Sequence, residues 1–315
     1  MIKEKTPIIP PPIQRITLLY FLSRELVKQG IQLFHRITTY EGQNNLPKGK
    51  CPVIFVSNHQ NGLMDPMIVS GLLKQQLHWL TRADVFWNPF VRKFLFKCHG
   101  IPIYRKRDLL PDSRERNDVI WDCCIKRLDI GAILSLFPEG NHNPQKTIRG
   151  IKSGLSNLLG RAVSKHENLK RLKVIPLGLD YEDYPNFRRR FCLRIGKPIE
   201  WLDLYEKNTG KVHFQKLSER IQAAMRNIAV DIRPYEKYDD IIHYVNALRT
   251  TEASVKGWTK ITRDLDKISK MGNVEEIADA AEKLRREGFD SNKMRVEAWG
   301  LSNGDVRKKK WWAVA

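Results

Sequence analysis

Several things are scarce in this chain, and each shortage excludes a class of protein. No stretch of its 315 residues stays apolar for about 18 positions, so a membrane-spanning helix is not expected. Cysteine is sparse. Cys51, Cys98, Cys123, Cys124 and Cys192 show no C-x-x-C spacing and no histidine-rich partner cluster, which argues against a metal site and a disulfide framework and suits a reducing cytoplasm. A G-x-S-x-G nucleophile elbow is absent, as are internal repeats and low-complexity segments. Lys3 and Lys5 precede Ile8-Ile9, but Pro10-Pro11-Pro12 interrupts any leader core, so no signal peptide is expected. Acidic residues are in short supply: 35 Asp and Glu against 55 Lys and Arg leave a formal charge of +20. Such an excess attracts polyanions, whether nucleic acid, an anionic bilayer or phosphorylated ligands. No basic-aromatic nucleic-acid module accompanies it.

Two short segments carry the chemistry. Ser57-Asn58-His59-Gln60-Asn61-Gly62-Leu63-Met64-Asp65-Pro66 follows the apolar run Pro52-Val53-Ile54-Phe55-Val56, and Phe137-Pro138-Glu139-Gly140-Asn141-His142-Asn143 ends another. An imidazole free of perturbation titrates near neutrality, at about 6.5, and suits a general base; a carboxylate beside it can fix the tautomer and stabilise the imidazolium. With no serine or cysteine at an obvious nucleophile elbow, the simplest reading is direct attack by a substrate hydroxyl, with His59 as base and Asp65 as its partner. The two are six positions apart, about 240° on a helix, so they meet only if Gln60-Asn61-Gly62 turns, which Asn-Gly favours. Asp65 before Pro66 also reads as a helix N-cap.

Asn58-His59 followed by Asp65 resembles the catalytic motif of the glycerolipid acyltransferase family, which includes glycerol-3-phosphate and 1-acylglycerol-3-phosphate (lysophosphatidate) acyltransferases. Three further stretches resemble the family's later motifs in order. Gly100-Ile101-Pro102-Ile103-Tyr104-Arg105 is similar to the second, whose arginine contacts the substrate phosphate. Phe137-Pro138-Glu139-Gly140 is similar to the third, whose Glu and Gly line the acceptor site. Val174-Ile175-Pro176-Leu177 is similar to the fourth, a strand with a proline beside the site. The resemblance runs over roughly residues 40–200. It departs at two points. Five residues separate His59 from Asp65 where four are commonest, as in a longer-spaced subgroup. After Gly140 the chain reads Asn141-His142-Asn143 in place of Thr-Arg or Ser-Arg, so His142 stands where a phosphate-binding cation is expected. Lys152 resembles the family's basic residue downstream.

Along the chain, residues 1–13 read as a Pro-rich arm and residues 14–36 as a basic amphipathic helix, suited to packing on the core or to lying in a membrane interface. Strands are expected at 52–56, 77–80, 101–104, 132–137, 173–179 and 191–195, and helices at 66–73, 113–129 and 153–165. Residues 86–96 read as a helix burying an aromatic stripe; its Trp87, Phe90, Phe94 and Phe96 could otherwise form an apolar patch. Arg105-Lys106-Arg107 ends a strand with three cations. The alternation argues for an α/β fold, a layered mixed sheet flanked by helices as the family resemblance implies, with an N-terminal amphipathic helix and a helical C-terminal extension. The expected division is 1–39 for arm and helix, 40–210 for the acyltransferase domain and 211–315 for the extension. Helical periodicity in the extension covers 212–230, 237–249, 255–270 and 274–287, and Arg307-Lys308-Lys309-Lys310-Trp311-Trp312 suits an anionic interface.

The expected function is transfer of a fatty acyl group from acyl-coenzyme A or acyl-carrier protein to the hydroxyl of lysophosphatidate or a similar phosphate-bearing acceptor. His59 and Asp65 would be catalytic, and Asn58, Arg105, Glu139, Gly140, His142, Lys152 and Pro176 would bind substrate. No metal or prosthetic cofactor is required. The enzyme is expected to be peripheral on the cytoplasmic, inner face of an anionic membrane, without nucleic acid as a partner. The alternatives are a glycerol-3-phosphate or other lyso-lipid acyltransferase, a non-catalytic membrane-associated scaffold, and a basic nucleic-acid-binding protein.

Overall fold

The computed structural model describes residues 7–12, 18–105, 112–181, 186–233 and 235–239. These fall into two compact units, one of residues 1–145 with 149–228, the other of 146–148 with 229–315. The first is built on a seven-stranded sheet with order β1-β7-β6-β2-β5-β3-β4. Its strands are β1 (His35–Glu41), β2 (Val53–Ser57), β3 (Leu77–Arg82), β4 (Gly100–Ile103), β5 (Ile133–Leu136), β6 (Lys173–Tyr181) and β7 (Arg189–Ile195). The helices are α1 (Leu18–Phe34), α2 (Met64–Leu72), α3 (Pro89–Lys97), α4 (Ser113–Asp129), α5 (Gly154–Lys165) and α6 (Phe214–Arg226).

Strands β2 to β6 are mutually parallel, while β7 runs antiparallel to β6 and carries β1 parallel to itself. All five residues of β2 are buried, as a central strand of a sheet covered on both faces requires. On one face Val53, Phe55, Ile175, Leu177, Leu179, Phe191 and Leu193 meet Ile31 of α1 and Ile68 and Val69 of α2. Helix α4 turns Ile120, Trp121, Cys124, Ile125 and Leu128 inward, and α5 turns Leu155, Leu158, Leu159, Ala162 and Val163 inward, each at helical spacing. Helix α6, from the stretch assigned to the C-terminal extension, is part of this first unit. In the second unit Ile148 N donates to Asp231 Oδ1 at 2.8 Å and Ile232 N to the Lys146 carbonyl at 2.8 Å.

Two elements differ from the sequence expectation. The chain leaves the helix at Phe34 and forms β1, because His35–Glu41 is a run of β-branched and aromatic residues that finds a free edge on β7. Helix α3 buries no residue at all: Phe90 is 85 % exposed, and Phe94 and Val91 are exposed beside it. Its start is nevertheless well formed, with Asn88 Oδ1 accepting from Phe90 N and Val91 N and Pro89 in the first turn. Residues 1–6, 13–17, Lys106, Arg107, the helical stretches beyond residue 239 and the Arg307-to-Trp312 run lie outside the described residues.

Candidate active site

Parallel strands align their carboxyl ends, and in open α/β sheets that edge is where ligands sit. Here it gathers the residue two beyond β2 (His59), two in the loop after β5 (Glu139, Gly140), the end of β3 (Arg82) and the residue two beyond β4 (Arg105). The end of β6, Tyr181, lies at the same edge.

His59 and Asp65 meet. His59 Nδ1 lies 2.8 Å from Asp65 Oδ2, and Asp65 is wholly buried while the His59 side chain keeps 12 % of its exposure. A carboxylate can only accept, so Nδ1 carries the proton and Nε2 presents its lone pair. The turn is built to allow this. Helix α2 begins at Met64, one residue before Asp65, and Asn61 does the capping, its Oδ1 accepting from Leu63 N and Met64 N at 3.0 Å each. Asp65 in the first turn is thereby released from an N-cap role and points back along the chain, where its Oδ2 also accepts from Gln60 N at 2.7 Å and Asn61 N at 2.9 Å. Its second oxygen accepts from the Tyr181 hydroxyl at 2.5 Å.

The other segment closes over the ring. Phe137 stacks on His59 with centroids 4.0 Å apart and planes 15° apart, His142 stands edge-on at 5.8 Å, and Asn143 N donates to the His59 carbonyl at 2.9 Å. A side chain at Gly62 would bring its Cβ within 2.9 Å of His142 Nδ1, so the two segments touch at a residue without one. Gly140 has φ 80°, a left-handed turn that suits glycine, and Lys152 Cγ lies 3.2 Å from where a Cβ would stand. Lys152 is exposed, and its N–H donates to the Pro138 carbonyl at 2.8 Å.

Glu139 is 2 % exposed. Its Oε2 accepts from Arg149 Nε at 2.8 Å and lies 2.6 Å from Arg149 Nη2, while Oε1 is buried without a hydrogen-bond partner. Burial pushes its carboxyl above the usual range; the Arg149 guanidinium and, more weakly, His59 oppose the rise. Arg149 also reaches the side chain and carbonyl of Asn141, strapping the loop after Gly140.

The remaining expected site residues sit apart. Asn58 is buried behind the turn, where its amide donates to the Leu179 carbonyl at 2.9 Å and accepts from Leu179 N at 2.8 Å, continuing the β2–β6 ladder past the end of β2. That bond set anchors the turn and leaves its amide directed at the backbone. Pro176 pairs in register with Val56, below the turn, and lines a groove of about 820 Å³ with Ile195, Ile199, Ala223 and Ile228. Arg105 lies at the far end of the edge, three strands from β2, or roughly 14 Å at strand spacing. It is 3.7 Å from Asp84, which Arg82 also grips, and the Arg82 hydrogen bonds hold the Asp84 carboxyl below its usual range.

Tyr181, Arg149, Phe137 and Arg82 are the participants that sequence reasoning missed. Tyr181 carries no motif; only its place five residues beyond Pro176 on one strand hints at it. Among the described residues no three His, Cys, Asp or Glu side chains gather in a way that could hold a metal ion.

Residues 37–180 match the sequence model of a family described as Acyltransferase. The chain is similar to an uncharacterized acyltransferase of Schizosaccharomyces pombe, at 28 % identity over 35 % of this chain and 17 % of that protein. It is similar to a chloroplastic 1-acyl-sn-glycerol-3-phosphate acyltransferase of Arabidopsis thaliana, at 26 % identity over 50 % of this chain and 43 % of that protein. It is also similar to tafazzin of Drosophila melanogaster, at 25 % identity over 68 % of this chain and 57 % of that protein. The chain therefore spans between 17 % and 57 % of the length of these relatives.

Proposed function

We propose that the chain moves a fatty acyl group from a coenzyme A or acyl-carrier-protein thioester to a hydroxyl of lysophosphatidate or a similar phosphate-bearing acceptor, a reading supported by the match of residues 37–180 to the Acyltransferase family model. The observation that carries the reading is the His59–Asp65 bond of 2.8 Å at the carboxyl edge of the sheet, with the carboxylate fully buried and the imidazole reachable.

In this mechanism the acceptor hydroxyl loses its proton to His59 Nε2 as its oxygen bonds the thioester carbonyl carbon. The tetrahedral intermediate then collapses, the C–S bond breaks, and the thiolate takes the proton back from the imidazolium. The products are an ester and a free thiol. Asp65 holds the ring in the productive tautomer and stabilises the imidazolium between the two proton transfers. His142, edge-on to the His59 ring, and Lys152, whose stem lies against Gly140, would meet the acceptor phosphate, with Arg105 further along the edge. Glu139 Oε1, buried and unpartnered, would accept from an acceptor hydroxyl. The name of the Arabidopsis relative favours lysophosphatidate.

A peripheral attachment to an anionic membrane, on its cytoplasmic face, belongs to the same reading. Leu18, Leu22, Leu26 and Leu33 form an exposed stripe along α1, whose other side packs on α2 through Ile31 and Val27. No described helix is long and apolar enough to cross a membrane.

Labelled oleoyl-coenzyme A, and separately oleoyl-acyl-carrier protein, should be offered to the protein with lysophosphatidate, glycerol-3-phosphate or no acceptor, beside His59→Ala. Product that depends on an acceptor and disappears in the variant supports the reading and names the acceptor. Equal product from both proteins would remove His59 as the base.

A further inference from the structure

Asp65 makes more hydrogen bonds than the orientation of one imidazole requires. Oδ2 already takes the His59 ring N–H and two backbone N–H groups, yet Oδ1 takes a fourth donor, the hydroxyl of a residue 116 positions away in sequence. Tyr181 is itself immobilised. It is the last residue of β6, 1 % exposed, paired in register with Phe191, and its ring lies 5.0 Å from that of Phe191 and 5.7 Å from that of His35. A phenol held this firmly fixes the rotation of the carboxylate it bonds. A charge-assisted O–H···O⁻ bond also draws negative charge toward the donor, away from the other oxygen.

We infer that Tyr181 is a positioning residue for the reaction, holding the Asp65 carboxylate so that Oδ2 faces His59 and limiting the charge that this oxygen presents to the imidazole. The inference deepens the acyl-transfer reading and rests on it for its consequence in turnover. Burial and the neighbouring Asp65 charge raise the Tyr181 phenol well above its ordinary range, so it remains a donor wherever an imidazole titrates. Among the described residues, the ionisable groups facing this assembly are Glu139 with its Arg149, His142 edge-on to His59, and His35 against the phenol ring. His35 is buried with neither ring nitrogen partnered, and burial lowers it, so it adds no charge near neutrality.

Removing the hydroxyl leaves Oδ1 without its donor. More charge then rests against the imidazole, the imidazolium is stabilised, and the base is freed only at higher pH. A stronger phenol donor acts in the opposite sense. The test uses the full chain as wild type, as Tyr181→Phe, and with 3-fluorotyrosine incorporated at position 181, a more acidic phenol of nearly the same shape. Two quantities are read: the ¹³C-histidine NMR titration of His59, assigned with His59→Ala, and the pH profiles of kcat and KM with the acceptor.

In Tyr181→Phe the His59 titration curve and the acidic limb of kcat should move to higher pH by roughly 0.5–1 unit. At pH 6.5 kcat should fall about 3- to 10-fold with acceptor KM unchanged. The fluorinated protein should move both curves to lower pH, and it keeps the test open if the Phe variant does not fold. Curves that superimpose on wild type in a folded variant overturn the inference and leave Tyr181 as packing. If the NMR curve moves while wild-type protein transfers no acyl group to any acceptor, the coupling stands and the acyl-transfer reading falls.

Discussion

The molecule holds histidines in two contrasting settings. His59 lies on a turn at the carboxyl edge of the sheet with a carboxylate at 2.8 Å. His78, in β3, and His99, just before β4, lie against each other in the interior with ring centroids 4.9 Å apart, and the Tyr20 ring is tilted against His99 at 4.8 Å. Neither has a carboxylate partner among the described residues. His78 has both ring nitrogens buried and unbonded, and His99 reaches only the Gln76 amide, at 2.8 Å. Burial, followed by His99 and Arg127, drives His78 down to about 3. Burial, followed by Arg127, drives His99 down to about 4. The residue type is the same; the partner and the route to solvent decide whether it can cycle a proton. A base must accept a proton during turnover, and an imidazole driven that far below its ordinary range by burial cannot do so near neutrality.

The comparison breaks most visibly at His59. His59→Ala should lower kcat by about 10³-fold or more while moving the unfolding midpoint little, because the ring is an edge residue with one side-chain hydrogen bond. Steady-state assays and a urea melt of the same preparation separate the two effects. A loss of activity accompanied by a collapse in stability would make His59 structural, on a par with His78. Asp65→Asn comes next, at about 10²-fold. The amide cannot accept every bond that the carboxylate does, so the tautomer clamp and the turn both weaken. If it left kcat intact, the carboxylate would be only an anchor for the N–H groups of Gln60 and Asn61.

What the sequence revealed of this contrast followed from chain locality. His59 precedes Asp65 by six residues across an Asn-Gly turn, and Glu139-Gly140 ends an apolar run, so both segments were legible with most of the sheet around them. His78 is flanked by Leu77 and Trp79 and read simply as strand. The partners brought by long-range pairing were not legible. Tyr181 reaches Asp65 only because β6 lies beside β2 and overruns it by four residues. Asn58 was expected to bind substrate, but the register of β6 turns its amide onto Leu179. Arg105 was expected to contact the acceptor phosphate; how far it stands from His59 was not legible, because strand order, which a sequence does not display, puts it three strands from β2. Strand β1 was hidden because a helical pattern runs straight into it, and only the edge of β7 makes an extended chain favourable there.

Acid sharpens the same comparison at an intermediate scale. His78 and His99 have folded values near 3 and 4, below the unfolded value of about 6.5. Between those limits the unfolded chain binds more protons, so folding stability falls as pH drops. The contribution is fully present above about pH 6.5 and is lost toward pH 4 and then 3, by a few kcal/mol over the window. Urea midpoints of wild type and His78→Leu at pH 7.5 and pH 4.5 test it. The variant should lose less stability on acidification than wild type, with its turnover preserved. Equal acid losses would mean that His78 is solvated in solution.

The smallest effect concerns the cation packed against Gly140. Lys152 is exposed on the loop that closes over His59, with its stem under Gly140. A phosphate held there is a solvent-screened ion pair, worth on the order of 1 kcal/mol. Lys152→Ala should therefore raise the acceptor KM roughly 3- to 10-fold at low ionic strength, with kcat unchanged, and the gap should narrow as salt is added. Unequal losses would be informative. A fall in kcat at constant KM would show that the lysine stem holds the Gly140 turn, and with it the Phe137 ring stacked on His59, in place for the chemical step. A salt-independent KM change would move the phosphate along the sheet edge toward Arg82 and Arg105. The interior histidine pair has no counterpart to this residue, and for that reason the same substitution should leave the acid-unfolding curve where it is.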